Sequence, residues 1–149
     1  MSQMTSEDFV ATIEQSKNDK DWARIFDMIP YFKFLGLRME TPDDKLICVL
    51  PEDNKFIGNP TLPAIHGGVI GAFLESTALV HLLATQDVTR VPKIINITVE
   101  YLRSAKPIET YAEAVITKPG RRIANMRIEA WQGNREKPVA AAHANFLVS

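Results

Sequence analysis

Residues 60–85 read Pro-Thr-Leu-Pro-Ala-Ile-His-Gly-Gly-Val-Ile-Gly-Ala-Phe-Leu-Glu-Ser-Thr-Ala-Leu-Val-His-Leu-Leu-Ala-Thr. Two prolines and a glycine pair open the stretch. The residues after Gly68 are compatible with helix and apolar on every face rather than along one stripe, the pattern of a helix inside a protein. At roughly 18 residues and about 1.5 Å per residue it runs about 27 Å, enough to cross a small domain. Glu75, Ser76, Thr77 and His81 interrupt it, which argues against a membrane span. Glu75 stands out, because a carboxylate taken out of water shifts its pKa, finds hydrogen bonds or is kept for chemistry. The helix start at His66, Gly67 and Gly68 offers backbone N–H groups without helical partners, an anion site expected within one long side chain's reach of Glu75.

With 149 residues the chain has the length of one domain, expected to span 1–149 with residues 1–34 as an N-terminal helical extension. Seventeen basic side chains against eighteen acidic ones leave a net charge of -1 with no block of one sign, so neither a nucleic acid nor an anionic membrane is indicated as partner. The N-terminus has no basic segment leading into an apolar one, and the single Cys48 cannot form an internal disulfide. Both fit a cytoplasmic setting. Cys48 sits in the apolar run Leu46 to Leu50 and reads as a buried, inert thiol.

Residues 5–17 open as a helix capped by Thr5 or Ser6, with Glu7 and Asp8 in the first turn. A second helical phrase, capped by Asn18 or Asp19, places Trp22, Ile25, Phe26 and Ile29 on one face and stops at Pro30. Tyr31, Phe32 and Phe34, closed by Gly36, read as core aromatics or as the wall of an apolar pocket. From Leu37 the period becomes two: 37–40 and 45–50 form a hairpin around Thr-Pro-Asp-Asp, and 51–63 is a loop leading to the central helix. Four strand phrases come after it, at 93–102, 110–118, 122–131 and 138–148. Ile95, Ile97, Val99 and Tyr101 are expected to face inward in the first. Pro119-Gly120 and Gly133-Asn134 join the last three into a meander. Ala140, Ala142 and Ala144 share a face that lets a helix approach closely, and Asn125, Arg127 and Glu129 make a polar face with cross-strand pairing to Glu113. The layout is α+β, an antiparallel sheet around one long helix with N-terminal helices. Uncovered sheet edges then favour self-association.

His66, Glu75, His81 and His143 are potential metal ligands, but Glu75 and His81 lie about 240° apart around a helix, so no metal is expected. Gly-x-Ser-x-Gly is missing, as are the Walker and dinucleotide loops. There remains a carboxylate base or nucleophile near an N–H-rich helix start, suited to attack on a carbonyl whose oxygen becomes an anion. A structural Glu75, satisfied by a Ser, Thr or Arg, is the competing explanation.

Three segments carry a resemblance. They are Asn-Pro-x-x-x-x-Ile-His-Gly-Gly-Val-Ile-x-x-x-x-Glu at 59–75, Asn-Ile-Thr-Val-Glu-Tyr-Leu-Arg-Ser-Ala-Lys-Pro at 96–107, and Gly-Arg-Arg-Ile-Ala-Asn at 120–125. Together they resemble the hotdog-fold thioesterase superfamily, in particular its phenylacetate-pathway-like (PaaI-type) branch, in element order over about residues 35–148. The resemblance implies a hotdog fold, an acyl-CoA thioesterase and a site at a dimer interface, with dimers pairing into tetramers. It implies that Glu75 is the catalytic carboxylate and that the amides of Gly67 and Gly68 polarise the thioester carbonyl. His66 then orders the helix start. Asn59 matches a water-positioning residue, one place further from the histidine than in relatives, and Ile94 stands where some relatives carry Ser or Thr. Coenzyme A enters as part of the substrate rather than as a cofactor, its phosphates expected near Arg103, Lys106, Lys118, Arg121 and Arg122. A non-catalytic acyl-binding hotdog domain and a hotdog hydratase are the rival functions.

Overall fold

The computed structural model describes residues 3–149, so the first two residues of the expected N-terminal extension lie outside it. Helix α1 (Ser6–Asp19) opens with a capping box. Thr5 Oγ1 accepts the Asp8 N–H at 3.0 Å, and Asp8 Oδ2 accepts the Thr5 N–H at 3.4 Å. It runs through the expected second cap and ends at Lys20 in the left-handed region. Helix α2 (Ala23–Met28) therefore starts at Trp22, without a side-chain cap. Pro30 does not simply stop this phrase. Ile29 turns extended, as a residue before proline does, and Pro30 becomes the first residue of helix α3 (Pro30–Leu35), where its missing N–H costs nothing. On a helix this short the three aromatics point different ways: Phe32 is buried, whereas Tyr31 and Phe34 are 49% and 56% exposed, so they are not core.

Strands β1 (Arg38–Glu40) and β2 (Ile47–Leu50) form the expected hairpin around a 3-10 turn at Pro42–Asp44. The segment read as a loop before the central helix contains a short ribbon, β3 (Ile57–Asn59) with β4 (Ala64–Ile65). Then come the central helix α4 (Gly67–Thr85) and strands β5 (Lys93–Tyr101), β6 (Thr110–Lys118), β7 (Ile123–Trp131) and β8 (Ala140–Leu147). Six strands make one antiparallel sheet in the order β1-β2-β6-β7-β8-β5. Helix α4 packs on β6, β7 and β8. The strand side chains beneath it are largely alanines, Ala112, Ala114, Ala124, Ala130, Ala140, Ala142 and Ala144, all buried, which lets Phe73, Leu74, Val80, Leu82 and Leu83 sink into the core. Each of those large side chains contributes about 1.5–3 kcal/mol by leaving water. This is the hotdog arrangement. By length and composition α4 would also suit a bilayer, yet half of that window is buried inside the fold. Lys17 Nζ donates to the Gln86 carbonyl at 2.6 Å, tying α1 to the C-terminal end of α4.

Two sheet details differ from the sequence expectation. The β5–β8 register slips between Ile94 and Asn96, extruding Ile95 to 52% exposure, while Ile94 packs on the core instead. Glu113 stands directly opposite Glu129, a like charge, and Arg135 bridges the two, with Nη2 at 3.4 Å from Glu113 and 3.6 Å from Glu129 while the guanidinium lies over Trp131; Arg127 also pairs with Glu129, at 3.7 Å. Cys48 is buried, and burial pushes its thiol up to about 12 against the opposing Thr77 hydroxyl, so it stays protonated.

His81 on α4 has a buried Nδ1 without a hydrogen-bond partner among the described residues. Burial lowers its pKa below 6.5, with the Glu113 carboxylate pulling the other way. The unfolded chain thus binds this proton more readily, and the contribution to stability is complete above about pH 6.5 and lost as pH falls below it. We expect His81→Leu to raise stability by about 1 kcal/mol at neutral pH and to remove part of the loss on acidification, as thermal melts at pH 7 and pH 5 would show.

Candidate active site

His66 is fixed by its backbone before its side chain acts. Its N–H donates to the Phe56 carbonyl at 2.8 Å, and the ribbon pairs Ile57 with Ile65 and Asn59 with Ala64. Gly58 passes so close that a Cβ there would lie 2.6 Å from His66 Cα, so glycine is required for this approach. The imidazole then folds over the start of α4, where Nδ1 accepts the Gly68 N–H at 2.8 Å. His66 is therefore the N-cap, with its ring proton on Nε2.

The two glycines of the pair make room for different neighbours. A Cβ on Gly68 would lie 2.9 Å from the His66 ring, and one on Gly67 would lie 3.3 Å from the ring of Tyr101. Val69 and Ile70 N–H both donate to the His66 carbonyl, at 3.0 and 3.2 Å. Of the N–H groups from Gly67 to Ile70, only that of Gly67 has no partner among the described residues. Of the two amides expected to act as oxyanion donors, that of Gly68 therefore serves the histidine cap and that of Gly67 is left available.

Gly67 lines a cleft of about 420 Å³ together with Ile65, Ile70, Tyr101, Arg103 and Ser104. Arg103 is held there by an Nη1 bond to the Pro138 carbonyl at 2.7 Å. Glu75 is half-buried and makes no hydrogen bond or ion pair among the described residues. Burial raises its carboxyl above the usual carboxylate value. It shares with Gly68, Ala72 and Leu79 the stripe of α4 that the sheet leaves uncovered, and Gly71 stands at the margin of that stripe, where Tyr101 and Val99 of β5 come within 3.5 and 3.9 Å of its Cβ position. Glu75 lies eight positions after Gly67. That is about 12 Å along the axis, more than a glutamate side chain covers even when it leans toward the helix N-terminus. The expected reach from Glu75 to the anion site of its own helix is therefore corrected.

Asn59 is exposed, and its Oδ1 accepts the Thr61 N–H at 3.1 Å and the Thr61 hydroxyl at 2.7 Å. Its carbonyl oxygen thus serves its own turn. The five basic residues do not gather within one chain. Arg103 lines the cleft at the N-terminal end of α4, and Lys106, close by, uses its backbone N–H on Gln132. Arg121 lines a second cavity of about 230 Å³ with Leu82 and Gln86 at the other end, where Lys118 and Arg122 are exposed. Between Ile70 and Leu82 the helix advances about 18 Å. Among the described residues no three of His, Cys, Asp and Glu are placed to hold a metal ion. Tyr101 and Gly58 are the neighbours that sequence reading missed. Tyr101 reads as one more inward apolar residue of β5 but is 58% exposed, and Gly58 reads as a loop residue, because the sheet edge brings the one and the β3–β4 ribbon the other against the helix start.

A family model for the thioesterase superfamily matches residues 62–139. No curated protein sequence matches the chain. A solved protein of Chromobacterium violaceum is similar at a TM-score of 0.76 and 38% identity, covering 92% of this chain and 96% of that one. The phenylacetic acid degradation-related protein of Ralstonia eutropha gives a TM-score of 0.73 at 24% identity, over 85% and 98%. A protein of Shewanella oneidensis related to the thioesterase superfamily gives 0.72 at 21%, over 92% and 97%. Those last two likenesses attest the fold.

Proposed function

Since the chain belongs to the thioesterase superfamily, we propose that it hydrolyses acyl-CoA thioesters, with the Gly67 N–H receiving the carbonyl oxygen and Glu75 supplying the base or nucleophile. The observation that carries this reading is Glu75 itself, a half-buried carboxylate with a raised pKa and, among the described residues, no Ser, Thr or Arg to satisfy it. A structural carboxylate would have such a partner. As the carbonyl is attacked its oxygen gains charge, which the unpaired amide at the positive end of α4 stabilises. Glu75 takes a proton from water as the water adds, or adds to the carbonyl directly and is released by water. In both routes the C–S bond breaks, the thiolate takes up a proton and the carboxylic acid leaves.

About 12 Å separates the two groups on one helix, whereas reacting atoms must approach to about 3–3.5 Å. A second copy supplies the missing half in our reading. Antiparallel helices with a two-fold axis near Gly71 put Gly67 of one copy beside Glu75 of the other, and the small residues Gly68, Gly71 and Ala72 allow the close approach. The nine-residue strand β5, at the sheet edge with unpaired backbone groups, continues that interface. The same operation carries the Arg121 cavity of the partner past Glu75 toward the Arg103 cleft, so that basic groups from two copies line one route for the CoA phosphates.

Two measurements test this. An assay over aryl, short, medium and long acyl-CoA should find hydrolysis of at least one class, and binding without hydrolysis of any would contradict an enzyme. Reversing the charges of Arg121 and Arg122 should raise KM several-fold for CoA esters while sparing thioesters truncated at pantetheine. Equal effects on both would remove the turn between β6 and β7 from the nucleotide site.

A further inference from the structure

The Tyr101 hydroxyl donates to the Gly67 carbonyl at 2.7 Å. That carbonyl belongs to the peptide unit whose N–H is Gly68's, and this N–H donates to His66 Nδ1 at 2.8 Å. One peptide plane is thus held from both sides, by a phenol on the edge strand β5 and by the imidazole that caps α4. Donation to an amide oxygen also polarises the amide N–H, so the two bonds strengthen each other. Immediately before this plane comes the Gly67 N–H, the one donor of the first turn without a partner among the described residues.

We propose that Tyr101 is a positioning residue for that amide: by fixing the Gly67–Gly68 peptide against His66, it sets the direction in which the Gly67 N–H points into the cleft. The role rests on the acyl-transfer reading above and extends it to a residue on another element. Geometry supports it from the glycine side. The Tyr101 ring lies where a Cβ on Gly67 would press against it at 3.3 Å, and its hydroxyl is 3.5 Å from the Cβ position of Gly71. Tyr101 also lines the same cleft as Gly67, so the clamp sits at the reacting centre rather than behind it. An N-cap alone leaves the helix start free to fray through the outward side of this peptide, and glycine at both positions makes such fraying easy. The tyrosine removes that freedom.

Tyr101→Phe keeps the ring against Gly67 and deletes only the hydroxyl. In the intact protein it should lower kcat on the order of tenfold with KM changed by less than about twofold, because a misdirected oxyanion donor harms the transition state more than the bound substrate. In the same variant the Gly68 amide proton should move upfield in NMR spectra as its bond to His66 weakens, with a matching change in the His66 Nδ1 nitrogen signal. The NMR signals report that the clamp is broken, and the kinetics report what it does: a merely structural tyrosine would lower the melting temperature without splitting kcat from KM. An active wild type whose Tyr101→Phe variant keeps full kcat, or leaves the Gly68 amide and His66 nitrogen signals where they were, would overturn the inference and leave the functional reading intact. A wild type that hydrolyses no acyl-CoA would instead remove the functional reading, and the catalytic consequence of the clamp with it.

Discussion

Glu75→Gln is expected to lower kcat by a factor on the order of 10² to 10⁴ while leaving the fold intact, the loss typical of removing a general base or carboxylate nucleophile. Gln keeps the shape and hydrogen-bonding capacity of Glu but cannot take a proton or add to a carbonyl. Stability should move the other way. Because burial raises the Glu75 carboxyl above 4.5, the folded chain holds that proton more tightly than the unfolded one. Its contribution to stability is therefore fully present below the unfolded value and lost as pH rises through the folded one. The variant should melt higher than wild type at pH 7 and lose that advantage below about pH 4.5. A catalytic loss coupled to a stability gain is the mark of a charge kept for chemistry. Retained activity with a changed melting temperature would contradict the assignment.

The second large effect concerns the Gly67 amide. Gly67→Pro deletes this N–H at the first helical position, where proline's fixed φ suits the chain. His66 before it, at φ -58 and ψ 132, already has the conformation proline demands of its predecessor. Gly67→Ala is the control: it brings the same Cβ toward Tyr101 but keeps the donor. The proline variant should fall below the alanine variant by a factor on the order of 10² to 10³ in kcat, the effect of losing one oxyanion donor. Equal activity of the two, measured on the same thioester, would show that the amide takes no part.

Sequence periodicity is enough for the frame. Strands β6 to β8, the alanine face of β8 and the all-round apolar α4 emerge from local pattern, since the pleat and the helical turn each impose a period on buried side chains. Pro30 is ambiguous for a physical reason: proline ends one helix and begins the next with equal ease. The bulge at Ile95 depends on how β5 meets β8, which alternation along one strand does not record. At the site, the histidine, the glycine pair and the carboxylate are conspicuous in the chain, but their division of labour is not. That the Gly68 amide is used by His66 Nδ1, that Gly67 is left free and that Tyr101 closes the same peptide are properties of three elements meeting. The separation of Arg103 from Arg121 likewise needs the length of α4, because the hairpin turn between β6 and β7 lies at its far end.

Mixing the two disabled variants tests the shared site most directly. Gly67→Pro protein retains Glu75, and Glu75→Gln protein retains the Gly67 amide, so a heterodimer assembles one complete site if each site draws one group from each copy. After unfolding the two together and refolding, random pairing should restore about a quarter of wild-type activity, since about half of the dimers are mixed and each holds one intact site. Recovery to that level, well above the sum of the two variants alone, is the expected result. Activity that stays at that sum, with exchange of subunits verified by mass, would mean that Gly67 and Glu75 do not meet across two copies.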